Sequence, residues 1–110
     1  MLLREIDRQR LIDIFENSEI LIEVWAYGSR VNDTAHDTSD LDLVVRTENL
    51  DAMPQTEYLK LVDKIKNSNI PIIVELRDWA RIPESFKNQI KKQYEVLYSS
   101  LKKMNEEVNQ

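Results

Sequence analysis

ILIEVWAYGSR (residues 20–30) and SDLDLVVR (residues 39–46) carry most of the structural information in this sequence. The first run is rich in β-branched and aromatic side chains and predicts a buried strand over Ile20–Tyr27. The second run predicts another strand over Leu41–Arg46. Gly28 and Ser29 interrupt the hydrophobic pattern directly after the first run. The segment therefore predicts two strands that are joined by a turn and a polar loop.

Gly28 is the single glycine in this chain of 110 residues, whereas an average content of about 7% would give roughly eight. Glycine is required where φ is positive or where another group approaches the backbone closely. A strand followed by Gly28-Ser29 and a helical turn directs backbone N–H groups and a hydroxyl at an anion. The pair therefore indicates a phosphate-binding turn, and a tight turn without a ligand is the alternative.

Asp40 and Asp42 lie at the start of the second predicted strand. Because residues i and i+2 of a strand point to the same face, the two carboxylates project together while Leu41 and Leu43 enter the core. Two like charges at this distance repel each other, and a divalent cation removes the conflict. Carboxylate oxygens suit Mg²⁺, which usually keeps substrate phosphates in its shell. The pair predicts a magnesium site, with a solvated strand entry as the alternative.

A third carboxylate, Glu75, lies within the apolar run of residues 72–76, which predicts a third strand. If this strand lies beside that of Asp42, Glu75 completes a cluster of three acids with Asp40 and Asp42. An acid on the polar face of an edge strand is the alternative. A zinc site needs three or four His or Cys ligands, and the chain offers only His36 and no cysteine.

Helices are predicted before, between and after these strands. Helical spacing of apolar residues predicts a first helix over Arg4–Asn17, with Leu3 and Ile6 extending its apolar stripe. The other predicted elements are a helix that opens at Asp51 and Pro54 and ends at Asn67, a helix from Pro83 to about Gln93, and a strand over Tyr94–Tyr98. This order predicts an α/β (α+β) fold, in which helices pack against one small sheet. The helix between the second and third strands suits a parallel or mixed pairing.

The length predicts a single domain over residues 1–110, with a polar tail that is frayed from residue 102 to 110. The net charge of −5 provides no basic footprint, so autonomous binding to long nucleic acids is not expected. The first residues form no signal sequence, and no apolar run approaches membrane-spanning length. We therefore expect a soluble, cytoplasmic protein.

The chain resembles the nucleotidyltransferase superfamily in one combination of features. This combination is Gly28-Ser29, ten further residues, Asp40-x-Asp42 on a strand and a carboxylate on the next strand. The sequence is most similar to the minimal nucleotidyltransferases, including MntA-like antitoxins paired with HEPN toxins. VELRDW (residues 74–79), followed by a helix start at IPESF (residues 82–86), adds to the similarity. The resemblance implies a nucleotidyltransferase fold built on a small mixed β-sheet.

The resemblance also implies roles for the matching residues. The nucleotide, ATP, would be bound by Gly28, Ser29, Arg30 and Ser39, and the catalytic acids Asp40, Asp42 and Glu75 would hold two Mg²⁺ ions. Arg30 would contact phosphate or pair with an acid of the loop. The family usually has Asp where this chain has Glu75, so the reach of the third ligand differs by one methylene. Asp78 would be the substitute if the register were shifted.

The activity implied by the resemblance is the transfer of NMP, as AMP from ATP, to a tyrosine hydroxyl of a partner HEPN toxin. A domain of this size leaves little room for an acceptor pocket beside a nucleotide, so we expect a hetero-oligomer in which a partner chain supplies the acceptor. One alternative, which Glu75 favours, is a non-catalytic antitoxin or binding module that acts by contact alone. The other is a subunit of a small-molecule nucleotidyltransferase of the aminoglycoside type, working with a helical substrate-binding subunit.

Overall fold

Four strands and three helices make up the fold in the computed structural model, which describes residues 1–32 and 39–101. The elements are α1 (Glu5–Glu16), β1 (Ile22–Tyr27), β2 (Leu41–Thr47), α2 (Gln55–Lys66), β3 (Val74–Asp78), a 3-10 turn (Trp79–Arg81), α3 (Glu84–Lys92) and β4 (Tyr94–Ser99). This order confirms the predicted succession of helices and strands. The loop residues 33–38, which include His36, and the tail 102–110, which is predicted to be frayed, lie outside the described residues. Among the helices that are described, none is both long and apolar enough to cross a membrane.

The strands form one mixed sheet in the order β3-β2-β1-β4. β1 is antiparallel to both of its neighbours, β2 and β4. β2 and β3 are parallel, with α2 as the crossover between them. The prediction of a parallel or mixed pairing is therefore confirmed. β3 and β4 are the edge strands of the sheet.

One face of the sheet carries the main hydrophobic core. The helices α1 and α2 cover it with Leu11, Phe15, Leu61 and Ile65, against strand side chains that include Ile22, Val24, Leu41, Leu43, Val45 and Leu76. The predicted stripe of α1 was wrong at one position, because Ile6 is 53% exposed and Asp7 is buried instead. The buried positions 7, 11 and 15 follow a spacing of four residues, which keeps them on one face of a helix.

Asp7 remains ionised in this buried position because two arginines neutralise it. Arg4 donates to both of its carboxylate oxygens, at 2.8 and 3.1 Å, and Nη1 of Arg10 lies 3.4 Å from Oδ1. The hydrogen bonds from Arg4 are the main reason that the pKa of Asp7 lies below its ordinary value, against the opposing effect of burial.

We expect Asp7→Asn to lower the thermal midpoint at neutral pH and to have little effect in acid. A carboxyl with a depressed folded-state pKa stabilises the fold above its unfolded-state pKa, and this contribution is lost as the pH falls through the folded value. Thermal unfolding of both proteins between neutral and acidic pH measures the difference. Asp13→Asn is the matched control, because Asp13 is an exposed acid of the same helix whose side chain accepts a hydrogen bond from Gln9. Parallel curves for wild type and Asp7→Asn would contradict the assignment.

The opposite face of the sheet carries a second, smaller cluster beneath α3 and the 3-10 turn. Its buried members are Trp25, Tyr27, Val44, Trp79 and Ile90. The guanidinium of Arg46 lies over both indoles, 3.9 Å from the ring centre of Trp25 and 4.6 Å from that of Trp79. Burial lowers the pKa of Arg46, and Glu23 opposes this effect from 3.6 Å. The end of this face that lies away from Asp42 is therefore closed by aromatic packing, and the end near Asp42 carries charged side chains.

The boundaries of the third strand were predicted wrongly, at residues 72–76 where the strand is Val74–Asp78. The backbone bends after Pro71, and Ile73 is 66% exposed, so residues 72 and 73 do not belong to a regular strand. The strand continues to Asp78 because Asp78 still pairs with Val45 of β2. The shift leaves Glu75 inside the strand.

Candidate active site

Three polar side chains form a row across the α3 side of the sheet. Tyr27 pairs with Asp42 in the antiparallel β1–β2 ladder, and Asp42 pairs with Glu75 in the parallel β2–β3 ladder. Residues that are directly paired on neighbouring strands place their side chains on the same face. The sheet thus brings together residues from three distant parts of the sequence, including two of the three acids that the sequence singles out.

Of the two paired acids, Asp42 lies in the position that is less favourable for an ionised carboxylate. Its side chain is 26% exposed, whereas that of Glu75 is 45% exposed. Burial raises the pKa of Asp42, and repulsion from Glu75 and then from Asp40 raises it further, while Arg77 acts in the opposite direction. A positive charge placed beside Asp42 would therefore stabilise its ionised form.

Arg77 supplies the positive charge in this row. Its Nη1 donates to the Tyr27 hydroxyl at 3.0 Å and lies 3.6 Å from Oδ1 of Asp42, and its Nη2 lies 3.2 Å from Oε2 of Glu75. Partial burial acts to lower the pKa of Arg77, but Tyr27, Glu75 and Asp42 together raise it above its ordinary value. Burial also favours the neutral form of Tyr27: it raises the pKa of the phenol, so the hydroxyl stays protonated. Together with Arg77, the row forms a network of two carboxylates, one guanidinium and one phenol.

Gly28 lies against Asp42, and no other residue type fits there without a shift. Its φ is +81°, a region that L-residues with a side chain rarely adopt. A Cβ at this position would lie only 2.7 Å from Oδ2 of Asp42. The carbonyl of Gly28 accepts hydrogen bonds from the backbone N–H groups of Val31 at 3.0 Å and Asn32 at 3.1 Å, which form a turn over residues 28–32. Both reasons for a glycine, a positive φ and a close approach, therefore apply at this residue.

The remaining predicted nucleotide-binding residues lie around the same turn. Ser29 is half-buried within it. Arg30 is 5% exposed, and it donates from Nε to the Ser39 carbonyl at 2.9 Å and from Nη1 to the Leu2 carbonyl at 2.7 Å. These bonds hold the backbone just before Asp40 close to the Gly28 turn. Arg30 thus has a positioning role that the sequence alone does not indicate.

Two of the three acids are neighbours in the sheet. Asp42 and Glu75 are direct cross-strand neighbours, whereas Asp40 is exposed and precedes β2. In residues 1–32 and 39–101, no group of three or more acidic, imidazole or thiol side chains is arranged to hold a metal ion. Hard carboxylate oxygens are the ligands that Mg²⁺ prefers. The chemistry of the Asp42–Glu75 pair fits a divalent cation, and the described geometry does not assemble a site of three carboxylates.

Asp78, the substitute that the sequence offers for Glu75, lies on the other face of the sheet. Its Oδ2 accepts a hydrogen bond from the backbone N–H of Met53 at 2.8 Å, and Nε of Arg81 lies 3.3 Å from the same oxygen. Residues 75 and 78 differ by an odd number of positions, so their side chains point to opposite faces of the strand. Asp78 therefore stabilises the connection before α2 and is not part of the row.

Sequence reasoning missed the two partners of the acids, Arg77 and Tyr27. The signal for Arg77 is its position two residues after Glu75 in a strand, because this spacing places both side chains on one face. Tyr27 carries a similar signal as the last residue of its strand before Gly28. The register between β1 and β2, which sets Tyr27 opposite Asp42, is not visible in the sequence.

Comparisons with known proteins concern the family and the fold of the chain. The family model described as polymerase beta, nucleotidyltransferase, matches residues 9–103. A curated relative from Haemophilus influenzae, named "Probable protein adenylyltransferase MntA", is 40% identical over 75 residues. That match covers 67% of this chain and 63% of the relative, so it spans less than two thirds of the relative's length.

Two solved structures share the fold. A toxin–antitoxin crystallised with AMP-PNP is 19% identical with a TM-score of 0.69, covering 88% of this chain and 77% of the other. A mutant of the toxin–antitoxin MntA-HpeT is 18% identical with a TM-score of 0.67, covering 87% and 76%. At these identities the likeness shows a common fold, and it agrees with the mixed sheet described above.

Proposed function

The chain belongs to the polymerase beta-type nucleotidyltransferase family, and from this premise we propose that it is a metal-dependent nucleotidyltransferase. The reaction would move AMP from ATP to a hydroxyl group of a partner protein and release pyrophosphate. The observation that carries the proposal is the placement of Asp42 beside Glu75, with Gly28 packed against the Asp42 carboxylate. A family fold without this pair of acids would support binding but not catalysis.

The residues of the site have separate roles in this proposal. Gly28 and Ser29 form the turn that would receive the triphosphate, with Arg30 and Ser39 behind them. Asp42 and Glu75 would hold two Mg²⁺ ions, and Asp40 would have to join them from the start of β2 when the ions bind. A divalent cation at this position would lower the pKa of the acceptor hydroxyl and stabilise the charge that develops on the α-phosphate. The rigid ladders of β1, β2 and β3 hold Asp42 and Glu75 in a fixed relation, so little reorganisation is needed when the substrates meet.

The acceptor is proposed to come from a second protein. The named relatives support this view, because one is described as a protein adenylyltransferase and two as toxin–antitoxin structures. We propose that the partner is a helical toxin of the HEPN type, that the acceptor is one of its tyrosines, and that adenylylation silences its RNase activity. The chain would then act as the antitoxin of the pair in a hetero-oligomer.

The test is to incubate the chain and its co-expressed partner with Mg²⁺ and ATP labelled at the α-phosphate. We expect the label to enter the partner and the intact mass of the partner to rise by whole AMP units. ATP labelled at the γ-phosphate is the matched control and should leave the partner unlabelled, because the γ-phosphate leaves with pyrophosphate. Removal of Mg²⁺ with EDTA should abolish the labelling.

Two outcomes would point to the rival functions. Inhibition of the partner that needs neither ATP nor Mg²⁺, with no mass change, would indicate a non-catalytic antitoxin that acts by contact. Labelling of an aminoglycoside in place of the partner protein would indicate a subunit of a small-molecule nucleotidyltransferase. Glu75 in place of the usual Asp is the feature that keeps the first rival open.

A further inference from the structure

Arg77 contacts both acids of the Asp42–Glu75 pair at the same time. One guanidinium nitrogen lies 3.6 Å from Oδ1 of Asp42, and the other lies 3.2 Å from Oε2 of Glu75. Two carboxylates on adjacent strands repel each other, and a positive charge between them offsets this repulsion. In this structure the Arg77 guanidinium is that charge.

The two oxygens of Asp42 have different neighbours. Oδ1 faces Arg77, while Oδ2 faces the space that the absent side chain of Gly28 leaves open. A cation that bridges Asp42 and Glu75 must use the side of Asp42 that faces β3, because Glu75 lies on that strand. The guanidinium of Arg77 already occupies this side of Asp42.

Two further contacts keep Arg77 in the site without the acids. Its Nη1 donates to the Tyr27 hydroxyl at 3.0 Å, and its guanidinium carbon lies 5.7 Å from the ring centre of Phe86 on α3. Neither contact uses a carboxylate oxygen. The guanidinium can therefore release Asp42 and Glu75 and still be held by neutral groups at the same end of the sheet.

We propose that Arg77 is the resident counter-ion of the Asp42–Glu75 pair and that a divalent cation binds the pair only by displacing its guanidinium from the carboxylate oxygens. The inference rests on the proposed function, since it assumes that the pair is a cation site. It makes Arg77 a positioning residue: it keeps the acids together before the cation arrives and weakens the affinity of the site for that cation.

Direct binding of Mn²⁺ to the purified chain, measured by calorimetry without nucleotide, tests the competition. We expect Arg77→Gln to bind Mn²⁺ roughly threefold to tenfold more tightly than wild type, the range expected when two partly exposed ion pairs no longer compete. Glutamine keeps an amide that can donate to Tyr27, so the fold is disturbed little. Arg81→Gln is the matched control, because Arg81 pairs with Asp78 on the other face, and its affinity should equal that of wild type. Equal or weaker binding by Arg77→Gln would overturn the proposal.

A second measurement needs no variant. In a wild-type chain labelled with ¹⁵N, the side-chain N–H signal of Arg77 should shift in a saturable way as Mg²⁺ is added, while that of Arg81 stays in place. Mn²⁺ binding to wild type with an unmoved Arg77 signal would overturn the counter-ion role and leave the proposed function standing. An absence of Mn²⁺ binding in wild type and in Arg77→Gln would overturn both.

Discussion

Asp42→Asn is expected to lower nucleotidyl transfer by about a thousandfold or more, since several kcal/mol of transition-state stabilisation depend on the cation site. Asparagine keeps the shape of the side chain but removes the charge, so the β1–β2 and β2–β3 ladders should form unchanged. The measurement is the rate of AMP incorporation from labelled ATP, with circular dichroism as the check on folding. Normal turnover by this variant would remove Asp42 from the proposed chemistry.

The effect of Asp42→Asn on stability is expected to differ in direction from its effect on activity. Burial and the neighbouring acids raise the pKa of Asp42, so the folded chain holds this proton more tightly than the unfolded chain does. Such a group stabilises the fold below its unfolded-state pKa, and the contribution is lost as the pH rises through the raised folded value. At neutral pH, Asp42→Asn should therefore be as stable as wild type or more so, in denaturant unfolding. A large loss of stability would mean that the Arg77 ion pair outweighs burial and repulsion.

Gly28→Ala is expected to reduce transfer by about a hundredfold, the loss that follows a shift of about 1 Å in a reacting group. The new methyl group would overlap Oδ2 of Asp42, which lies 2.7 Å from the position of a Cβ, so the carboxylate must rotate. The left-handed backbone at φ +81° adds a destabilisation of about 1–2 kcal/mol. The rate of AMP incorporation and the free energy of unfolding measure the two effects separately.

A double-mutant cycle shows whether Gly28→Ala acts through Asp42. Adding Gly28→Ala to Asp42→Asn should reduce residual transfer by much less than the factor measured in wild type, because the displaced charge is already absent. Equal factors in both backgrounds would mean that the glycine acts elsewhere, for example on the phosphate-binding turn. In that case the close approach to Asp42 would have no catalytic consequence.

The order of elements could be predicted because proline and glycine residues mark several element boundaries clearly. Helices α2 and α3 begin directly after Pro54 and Pro83, where the fixed φ of proline suits a helix start. β1 ends at Tyr27, directly before Gly28, the only glycine in the sequence. The three candidate acids could also be singled out, since a charge inside an apolar strand marks Glu75 and a spacing of two marks Asp40 and Asp42.

The contacts between strands could not be predicted from local pattern. The register that sets Tyr27 against Asp42 depends on how the whole sheet packs, and a run of apolar residues fits several registers equally well. The buried Asp7 was missed because two arginines must be close in space to neutralise it. The exposure of Asp40 was not predicted, because the rule that residues i and i+2 share a face holds only within a strand, and β2 begins only at Leu41.

The acids of the pair are expected to join the sheet at different stages of folding. Asp42 lies on β2, which follows β1 in the chain and pairs with it, whereas Glu75 lies on β3, which pairs with β2 only after the α2 crossover. Parallel pairing across a long connection closes late, because the entropy of loop closure must be overcome first. Any cation that bridges the two acids would therefore fasten the last strand to the others, and its removal should loosen that edge before the rest of the sheet.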